Sequence, residues 1–338
     1  MATLPDAVAV DRPLPGRPPR WGWRVVAAKE FGDGILSVRL FILILVLGLP
    51  AILAIHSTAA FVGNNAQSLT GVPGLFVAMF AHQDPNSQVP SFVEMVALLG
   101  PLLGIAFGFD AINGERSDRT LPRLIAQPIH RDAVIIGKFV SGLALMGLVL
   151  GSVTLLASGI AFVSLGVTVG PDEVARLAAW FVVALAYLGF WLAFAMLCSV
   201  VVRRAATSAL AAIALWIVLT LFAALLVGIV ANFLSPVPAT ATTDQQIANA
   251  ELSAQLQRVS PGTLYAEASQ YLLDPTVQSV DIATLVAQES NSRAFPTSVL
   301  GLDQSLLLAW PQVVALIALS VGCFGLAYVS FMRQEVRA

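Results

Sequence analysis

Six long apolar stretches dominate the pattern of hydrophobic and polar positions along the chain. A helix that crosses a bilayer needs about 20 mostly apolar residues, and each stretch is long enough to supply them. The stretches are apolar at consecutive positions, without the alternation that a barrel strand shows. The pattern therefore predicts an all-α integral membrane protein with six transmembrane helices. The stretches cover roughly residues 40–62, 92–110, 139–166, 177–202, 206–233 and 306–331.

The composition excludes a soluble protein of this length. Of the 338 residues, 57% are hydrophobic and 11% are charged, and the mean hydropathy is +0.83. Soluble domains have about 45–50% apolar and about 25% charged residues. Lys and Arg form no basic stripe with interleaved aromatic residues, so nucleic-acid binding is not expected. Cys198 and Cys323 both lie in apolar runs, which argues against a disulfide framework or a cysteine zinc site.

Lys and Arg are strongly biased to one side of the predicted membrane. Fifteen of the 18 basic residues precede span one, follow span six, or lie between spans two and three or four and five. Because cytoplasmic segments retain Lys and Arg, both termini are predicted to be cytoplasmic, in an inner (plasma) membrane. The first apolar run starts at Leu40, too late for a removable signal peptide. Spans one to five occupy 37–234, span six occupies 306–332, and a cytoplasmic tail follows at 333–338.

The segment before the first span is predicted to have two parts. Residues 1–20 contain five prolines and are expected to form a disordered cytoplasmic tail. Residues 21–36 place apolar side chains on one face at helical spacing, which predicts an amphipathic helix at the membrane interface. The alternative is a partly ordered lead-in to the first span. The side chains expected at the interface are Trp21, Trp23, Val25, Phe31 and Ile35.

The predicted spans carry almost no ionisable side chains. Asp, Glu, Lys and Arg are absent from the first stretch and from the third to the sixth. Ion-coupled carriers usually bind protons or sodium ions with such groups near the membrane midplane, so this class of protein is disfavoured. The histidines His56, His82 and His130 are scattered and match no metal-binding motif. No metal site, cofactor site or catalytic group is predicted on this chain.

The loop at 111–138, between spans two and three, is dense in charge although both neighbouring spans are apolar. Thr120 is a plausible N-cap and Pro128 ends the segment, which predicts a short helix between them. Its apolar face consists of Leu121, Leu124 and Ile125, and its flanking charges are Glu115, Arg116, Arg123 and Arg131. Such an element is suited to docking a cytosolic protein. The alternative is a loop that is basic only because it faces the cytoplasm.

A resemblance to a known family rests on this loop. The run Glu115-Arg116-x-x-x-Thr120-Leu121 is followed by Leu124, Pro128-Ile129, Arg131 and Gly137-Lys138. This order resembles the loop pattern in permease subunits of the type-2 ATP-binding-cassette (ABC) exporter superfamily, including the branch with copper-enzyme maturation permeases. Arg119 stands where that family usually has Gly. The six spans, the N-terminal amphipathic helix and the large segment before the last span are also similar to that branch.

The resemblance implies a division of labour between subunits. The loop would carry the coupling helix, which contacts a separate ABC ATPase through Glu115, Arg116, Thr120, Leu121, Arg123, Leu124, Ile125, Pro128 and Arg131. ATP and Mg would bind that partner, with two ATPase copies and two permease copies per transporter, a homodimer being favoured over a heterodimer. This chain has no P-loop, because Asp132 stands where the Gly upstream of Gly137-Lys138 would be. The expected function is an exporter permease, and the alternative is a non-transporting scaffold or assembly factor that binds a cytosolic protein.

The segment at 235–305 is too long for an ordinary loop. It is polar, and it is predicted to form a small helical extracytoplasmic domain between spans five and six. Helical periodicity suggests helices near 244–258, 263–273 and 277–288. The segment is also acidic, which suits an extracytoplasmic partner or a cationic ligand. The alternative is that acidity is what the positive-inside rule leaves on the outer side.

Overall fold

A computed structural model of the protein describes residues 22–64, 74–83, 87–117, 130–165, 169–237, 242–274 and 300–334. Within these ranges the chain forms α-helices and one π-helical segment, Val218–Phe222, and no strand. The first six α-helices are α1 (Gly22–Ile35), α2 (Val38–Asn64), α3 (Leu75–Ala81), α4 (Phe92–Gly108), α5 (Asn113–Ser117) and α6 (Arg131–Leu165). The next six are α7 (Pro171–Val201), α8 (Ala205–Ile217), α9 (Ala223–Leu234), α10 (Thr243–Gln257), α11 (Pro261–Leu273) and α12 (Leu302–Arg333).

The six predicted spans are confirmed as long apolar helices. The third begins at Arg131, eight residues before the predicted limit of the apolar run, so residues 131–138 belong to the helix and not to the loop. The fifth is α8, the π-helical segment and α9 in succession. The six helical segments able to cross a membrane are Val38–Asn64, Phe92–Ser117, Arg131–Ser164, Pro171–Val201, Ala205–Leu234 and Leu302–Arg333.

Helix α7 lies at the centre of the described bundle, in contact with α4, α6, α8, α11 and α12. In its most apolar window 67% of the residues are buried within the chain, whereas the corresponding share for the fifth span is 0%. The fifth span therefore presents its aliphatic side chains outward. In a bilayer these side chains meet lipid or another protein, since lipid tails are as apolar as leucine.

Two glycines of α4 allow it to approach α7 closely. A Cβ atom added to Gly104 would lie 2.7 Å from the Cβ atom of Trp191 and 2.8 Å from the backbone nitrogen of Leu192. A Cβ atom added to Gly108 would lie 2.6 Å from the Cβ atom of Ala195. Small residues at four-residue spacing bring membrane helices into backbone contact. The close contact with α7 thus fixes the position of the end of α4, and with it the start of the loop after span two.

Helix α1 packs along the first turns of α6. Val26 faces α6 and is 5% exposed, whereas Val25 is 61% exposed on another side of the helix. A tight turn then connects α1 to α2. In this turn the Ser37 hydroxyl donates to the Gly34 carbonyl oxygen at 2.6 Å. The helix therefore belongs to the bundle. Its depth at a membrane interface stays a prediction.

The two helices found in the segment between spans five and six match two of the three predicted there. Helix α10 begins at a capping box formed by Thr242 and Gln245, and α11 begins with Pro261, a residue suited to a first helical turn. The predicted helix at 277–288 lies outside the described residues. Helix α11 packs against α3, α4, α7 and α12, so it is buried among the spans.

Candidate functional site

The candidate site lies at one end of the bundle, where α1, α5, the start of α6, the end of α7 and the end of α12 meet. We call it the loop end, because the loop between spans two and three leaves at Ser117 and returns at His130. The chain enters α5 through a contact with α7. The buried Ser199 hydroxyl oxygen accepts hydrogen bonds from the backbone N–H groups of Ile112 and Asn113, both at 3.1 Å. A side chain of one span thus caps the short helix that opens the loop.

Lys138 joins three elements of the loop end. Its Nζ atom lies 2.8 Å from Glu115 Oε1 on α5 and 3.1 Å from Glu30 Oε1 on α1, and 8% of its side chain is exposed. Burying an ammonium group is costly unless opposite charges and hydrogen bonds compensate for lost water. Two carboxylates provide this compensation here. Glu30, Lys138 and Glu115, which we call the loop-end triad, tie the N-terminal helix to the start of the loop.

Gly137, the residue before Lys138, explains why Glu30 of α1 can lie close to Lys138. A Cβ atom added to Gly137 would lie 2.7 Å from the Cβ atom of Val26 and 2.9 Å from the Trp23 carbonyl oxygen. The absence of a side chain lets α1 lie directly against α6 at this height. The pair Gly137-Lys138 therefore provides a close helix contact and, one residue later, the cation that secures it.

Both ends of the loop also contact the residue that follows α12. Arg116 Nη2 donates to Gln334 Oε1 at 2.6 Å, and Arg131 Nη1 donates to the Gln334 main-chain oxygen at 3.4 Å. The side-chain amide of Gln334 donates to the Val200 carbonyl oxygen at the end of α7, at 2.7 Å. The start of the loop, its return and the ends of two spans are thereby joined through one residue.

A further ion pair fixes the first span to the second. Arg39 Nη2 lies 2.6 Å from Asp110 Oδ2, and Arg39 Nη1 lies 3.1 Å from Asp110 Oδ1. The same guanidinium donates to the Ala106 carbonyl oxygen at 3.0 Å and lies over the Phe109 ring. The two parallel contacts give a bidentate geometry that restrains orientation as well as distance. The turn between α4 and α5 is therefore bonded to α2 through Asp110 and to α7 through Ser199.

The structure places some of the predicted site residues and not others. Glu115, Arg116 and Arg131 come together at the loop end, where they bond to residues of this chain. In α1, Trp23 lies under the Arg24 guanidinium at 5.4 Å, and Phe31 and Ile35 pack partly against the core. The predicted site residues outside the described ranges are Trp21, Thr120, Leu121, Arg123, Leu124, Ile125 and Pro128.

Sequence reasoning assigned no role to four residues that build the loop end: Glu30, Lys138, Ser199 and Gln334. For Lys138 there was a usable pattern, because it is a cation next to a long apolar run and needs partners if the helix begins before it. For Ser199 and Gln334 the contacts span more than 80 residues of sequence. Local periodicity carries no information about such pairs.

A second polar cluster lies at the opposite end of the bundle, which we call the α11 end. Arg176 of α7 is 1% exposed. Its guanidinium donates to Asp172 Oδ2 at 2.7 Å and Ser305 Oγ at 3.1 Å. It also donates to the carbonyl oxygens of Leu272 at 3.2 Å and Leu300 at 2.5 Å. One side chain therefore fixes α7, α11 and the start of α12 to one another.

Aromatic contacts continue from this cluster into the bundle. The rings of Tyr187 and Tyr265 are stacked with centroids 4.7 Å apart, and Trp180 Nε1 donates to Ser269 Oγ at 3.1 Å. Burial raises the pKa of the Tyr265 phenol above its ordinary value, so its hydroxyl stays neutral. No group of three His, Cys, Asp or Glu side chains that could hold a metal ion occurs among the described residues.

The six long apolar helices and the charged loop end are those of a multi-pass membrane protein. Residues 24–336 match the family described as ABC-2 family transporter protein. The chain belongs to this family, which confirms the resemblance drawn from the loop residues.

Two curated relatives are similar to the chain. A probable ABC transporter permease protein NosY from Stutzerimonas stutzeri is 26% identical over 206 residues, which are 58% of this chain and 66% of that protein. A probable ABC transporter permease protein NosY from Pseudomonas aeruginosa is 29% identical over 152 residues, 45% of this chain and 48% of that protein. The chain thus spans between about half and just under two thirds of the length of these relatives.

Proposed function

We propose that this chain is the transmembrane subunit of an ABC exporter and that a separate ATPase docks on the loop between spans two and three. The observation that carries the proposal is the loop-end triad. Through Lys138 the start of the loop is bonded to both α1 and α6. A displacement of the loop is therefore transmitted to two helices at once. A loop held by flexible chain alone would absorb the same displacement.

The structure changes the roles we assign to the charged residues of the loop. Glu115, Arg116 and Arg131 bond within the chain, so we assign them to positioning the loop. Contact with the ATPase falls to the apolar residues Leu121, Leu124 and Ile125, helped by Arg123. Three aliphatic side chains contribute roughly 1.5–3 kcal/mol each when fully buried. Because association also costs translational and rotational freedom, a second docking surface on another copy of the permease would strengthen binding.

The assembly we propose contains two copies of this chain and two ATPase subunits in the inner membrane, with ATP and Mg bound to the ATPase. The loop end then faces the cytoplasm. The bias of Lys and Arg supports this orientation. The outward-facing aliphatic surface of the fifth span is available to a neighbour within the membrane, because the described residues of its own chain leave it uncovered. This chain contributes the membrane pathway, and ATP hydrolysis takes place on its partner.

Co-purification with an ATPase tests the docking site. The tagged chain should retain a P-loop ATPase, identified by mass spectrometry, and the purified complex should hydrolyse ATP. Replacing Leu121 and Leu124 by Asp should release the ATPase. The matched control is Gln257→Ala at the end of α10, which should retain the ATPase. If the loop variant retains the ATPase and the complex hydrolyses ATP at the full rate, the docking site lies elsewhere, and the alternative of a non-transporting scaffold is favoured.

Cysteine labelling tests the orientation. In a variant with Cys198→Ala and Cys323→Ala, a cysteine at Gln255 should react with a membrane-impermeant maleimide in intact cells. A cysteine at Ser117, which is exposed in the structure, should react only after permeabilisation. The reverse pattern would invert the proposed topology and remove the loop from the cytoplasm.

A further inference from the structure

The residue that follows the last span is bonded more widely than its position suggests. Gln334 lies just after α12 and is partly buried. Its side-chain oxygen accepts from Arg116 at the start of the loop, and its main-chain oxygen accepts from Arg131 at the return. Its side-chain nitrogen donates to the Val200 carbonyl oxygen on α7. Four elements of the loop end therefore meet at one neutral side chain and its backbone.

The chemistry of an amide suits this position. Arg116 offers only donors, and the Val200 carbonyl is only an acceptor. A residue that joins the two needs an acceptor and a donor on one rigid group, which an amide provides. A carboxylate would accept from Arg116 but would face the carbonyl oxygen without a proton to donate. A thioether of similar length, as in methionine, would make neither bond with comparable strength.

Helix α12 connects the contacts around Gln334 to the α11 end. It is continuous over 32 residues, which at a rise of about 1.5 Å per residue gives a length of about 48 Å. Near its other end, Gln312 Nε2 donates to Glu267 Oε2 of α11 at 2.9 Å, and Ser305 accepts from Arg176. A movement imposed on the loop can therefore reach α11 through one helix that is fixed by polar contacts at both ends.

We infer that Gln334 is a positioning residue for coupling, which keeps both ends of the loop fixed to α12 while the ATPase moves the loop. The inference rests on the proposed function. It assigns to α12 the task of carrying loop movement towards α11, in addition to the contact of the triad with α1. Among the described residues, Gln334 bonds to Arg116, Arg131 and the end of α7.

Spin-label distances in the complex with the ATPase test the inference. Nitroxides are placed at Ser117 and Met332, both exposed, in the chain with Cys198→Ala and Cys323→Ala. The complex is measured in lipid nanodiscs, first without nucleotide and then trapped with ATP and vanadate. With Gln334 in place the distance distribution should be the same in both states. In Gln334→Met the distribution should shift or broaden on trapping.

Three further variants separate positioning from general damage. Gln334→Glu loses the bond to Val200 but keeps the acceptor for Arg116, and because the Arg116 bond is the one that fixes the loop to α12, this variant should restore the constant distance. Arg116→Met removes the same bond from the loop side and should reproduce the Gln334→Met result. Gln312→Met makes the same substitution near the other end of α12 and should leave the distance constant. All variants should retain the ATPase.

The outcomes distinguish this inference from the function on which it rests. If the distance changes on trapping with Gln334 in place, or stays constant in both Gln334→Met and Arg116→Met, the inference is wrong although the ATPase is retained. If the unmodified chain retains no ATPase, the proposed function fails, and this inference fails with it.

Discussion

The two ends of the bundle are fixed by different kinds of contact. At the α11 end, the guanidinium of Arg176 bonds to two backbone carbonyl oxygens as well as to Asp172 and Ser305. At the loop end, Lys138 bonds to two carboxylates that belong to different helices. Backbone carbonyls near helix ends move only with the helix. Carboxylates on side chains can follow a cation that moves, so the contacts of the loop end can persist while its three elements move together, whereas the α11 end is held at backbone groups.

Aromatic packing strengthens the same contrast. A row of rings runs from Phe76 through Phe80 and Phe92 to Trp180, with centroid distances of 5.7, 5.2 and 5.6 Å. These rings lie towards the α11 end, near Ser269. Aromatic pairs add about 0.5–1.5 kcal/mol each beyond their buried area. The α11 end is therefore expected to be the more stable half, against which the loop end moves.

The largest effect is expected for Arg176→Met. The substitution leaves the carbonyl oxygens of Leu272 and Leu300 without a donor in a buried site, which costs about 1–3 kcal/mol for each group. We expect a total loss of about 3–5 kcal/mol and a clear fall in the melting temperature of the detergent-solubilised protein. Tryptophan fluorescence during heating measures it, since Trp180 lies in the same region.

A lysine at the same position sharpens this test. Arg176→Lys keeps the charge but loses the planar fork that reaches several acceptors at once. It should recover only part of the lost stability. Equal stability of the methionine variant and the unmodified protein would show that the α11 end is not fixed by this residue, and the contrast between the two ends would be lost.

Lys138→Met should have the next largest effect. It leaves Glu30 and Glu115 close together without a cation, but both carboxylates keep some contact with solvent. We therefore expect a smaller loss of about 2–3 kcal/mol, following from charge-assisted hydrogen bonds of about 1.5–3 kcal/mol each, reduced by solvation. The loss is measured as the shift in melting temperature, together with the ATP hydrolysis rate of the proposed complex with the ATPase.

A double substitution isolates the charge contribution. Glu30→Gln combined with Lys138→Met removes one of the stranded carboxylates and should be more stable than Lys138→Met alone. Such non-additivity is expected for residues in direct contact. If the double variant is instead less stable by the full sum of the single losses, the triad is not an electrostatic unit.

The six spans could be predicted from the sequence because each helix must cover its own backbone and meet lipid along its length. The apolar composition of each run is therefore sufficient to predict its helix. The family could also be assigned, because Glu115, Arg116 and the residues up to Lys138 keep a local order. For the charged residues of the loop the sequence predicted either a docking element for a cytosolic protein or a loop that is basic only because it faces the cytoplasm. The structure shows Glu115 bonded to Lys138 and Arg116 bonded to Gln334.

The N-terminal helix shows why contacts between helices are harder to predict than the helices themselves. Projection placed Val25 on the side expected to meet the membrane, and the structure leaves Val25 exposed and buries Val26 against α6. Both residues are valines, so hydrophobicity alone does not tell which one packs against another helix. What selects Val26 is the bare backbone at Gly137 on another helix. That information is absent from the periodicity of residues 21–36.

The smallest effect, and the finest comparison, is expected from two matched Ser→Ala substitutions. Ser199 accepts from two backbone N–H groups at the loop end, and Ser269 accepts from the Trp180 ring nitrogen at the α11 end. Each hydrogen bond of this kind contributes about 1 kcal/mol. Two backbone N–H groups lose their acceptor in Ser199→Ala and one ring N–H in Ser269→Ala, so Ser199→Ala should lower the melting temperature at least as much as Ser269→Ala.

The two variants should differ more clearly in coupling than in stability. Ser199 holds the start of α5, from which Glu115 reaches Lys138, so its loss should loosen the loop and lower the ATP hydrolysis rate of the complex. Among the described residues, Ser269 bonds to Trp180 and Tyr265 at the α11 end, so Ser269→Ala should leave that rate unchanged. If both variants lower the rate equally, the two ends are not mechanically distinct. The cap at Ile112 and Asn113 would then be a contribution to stability alone.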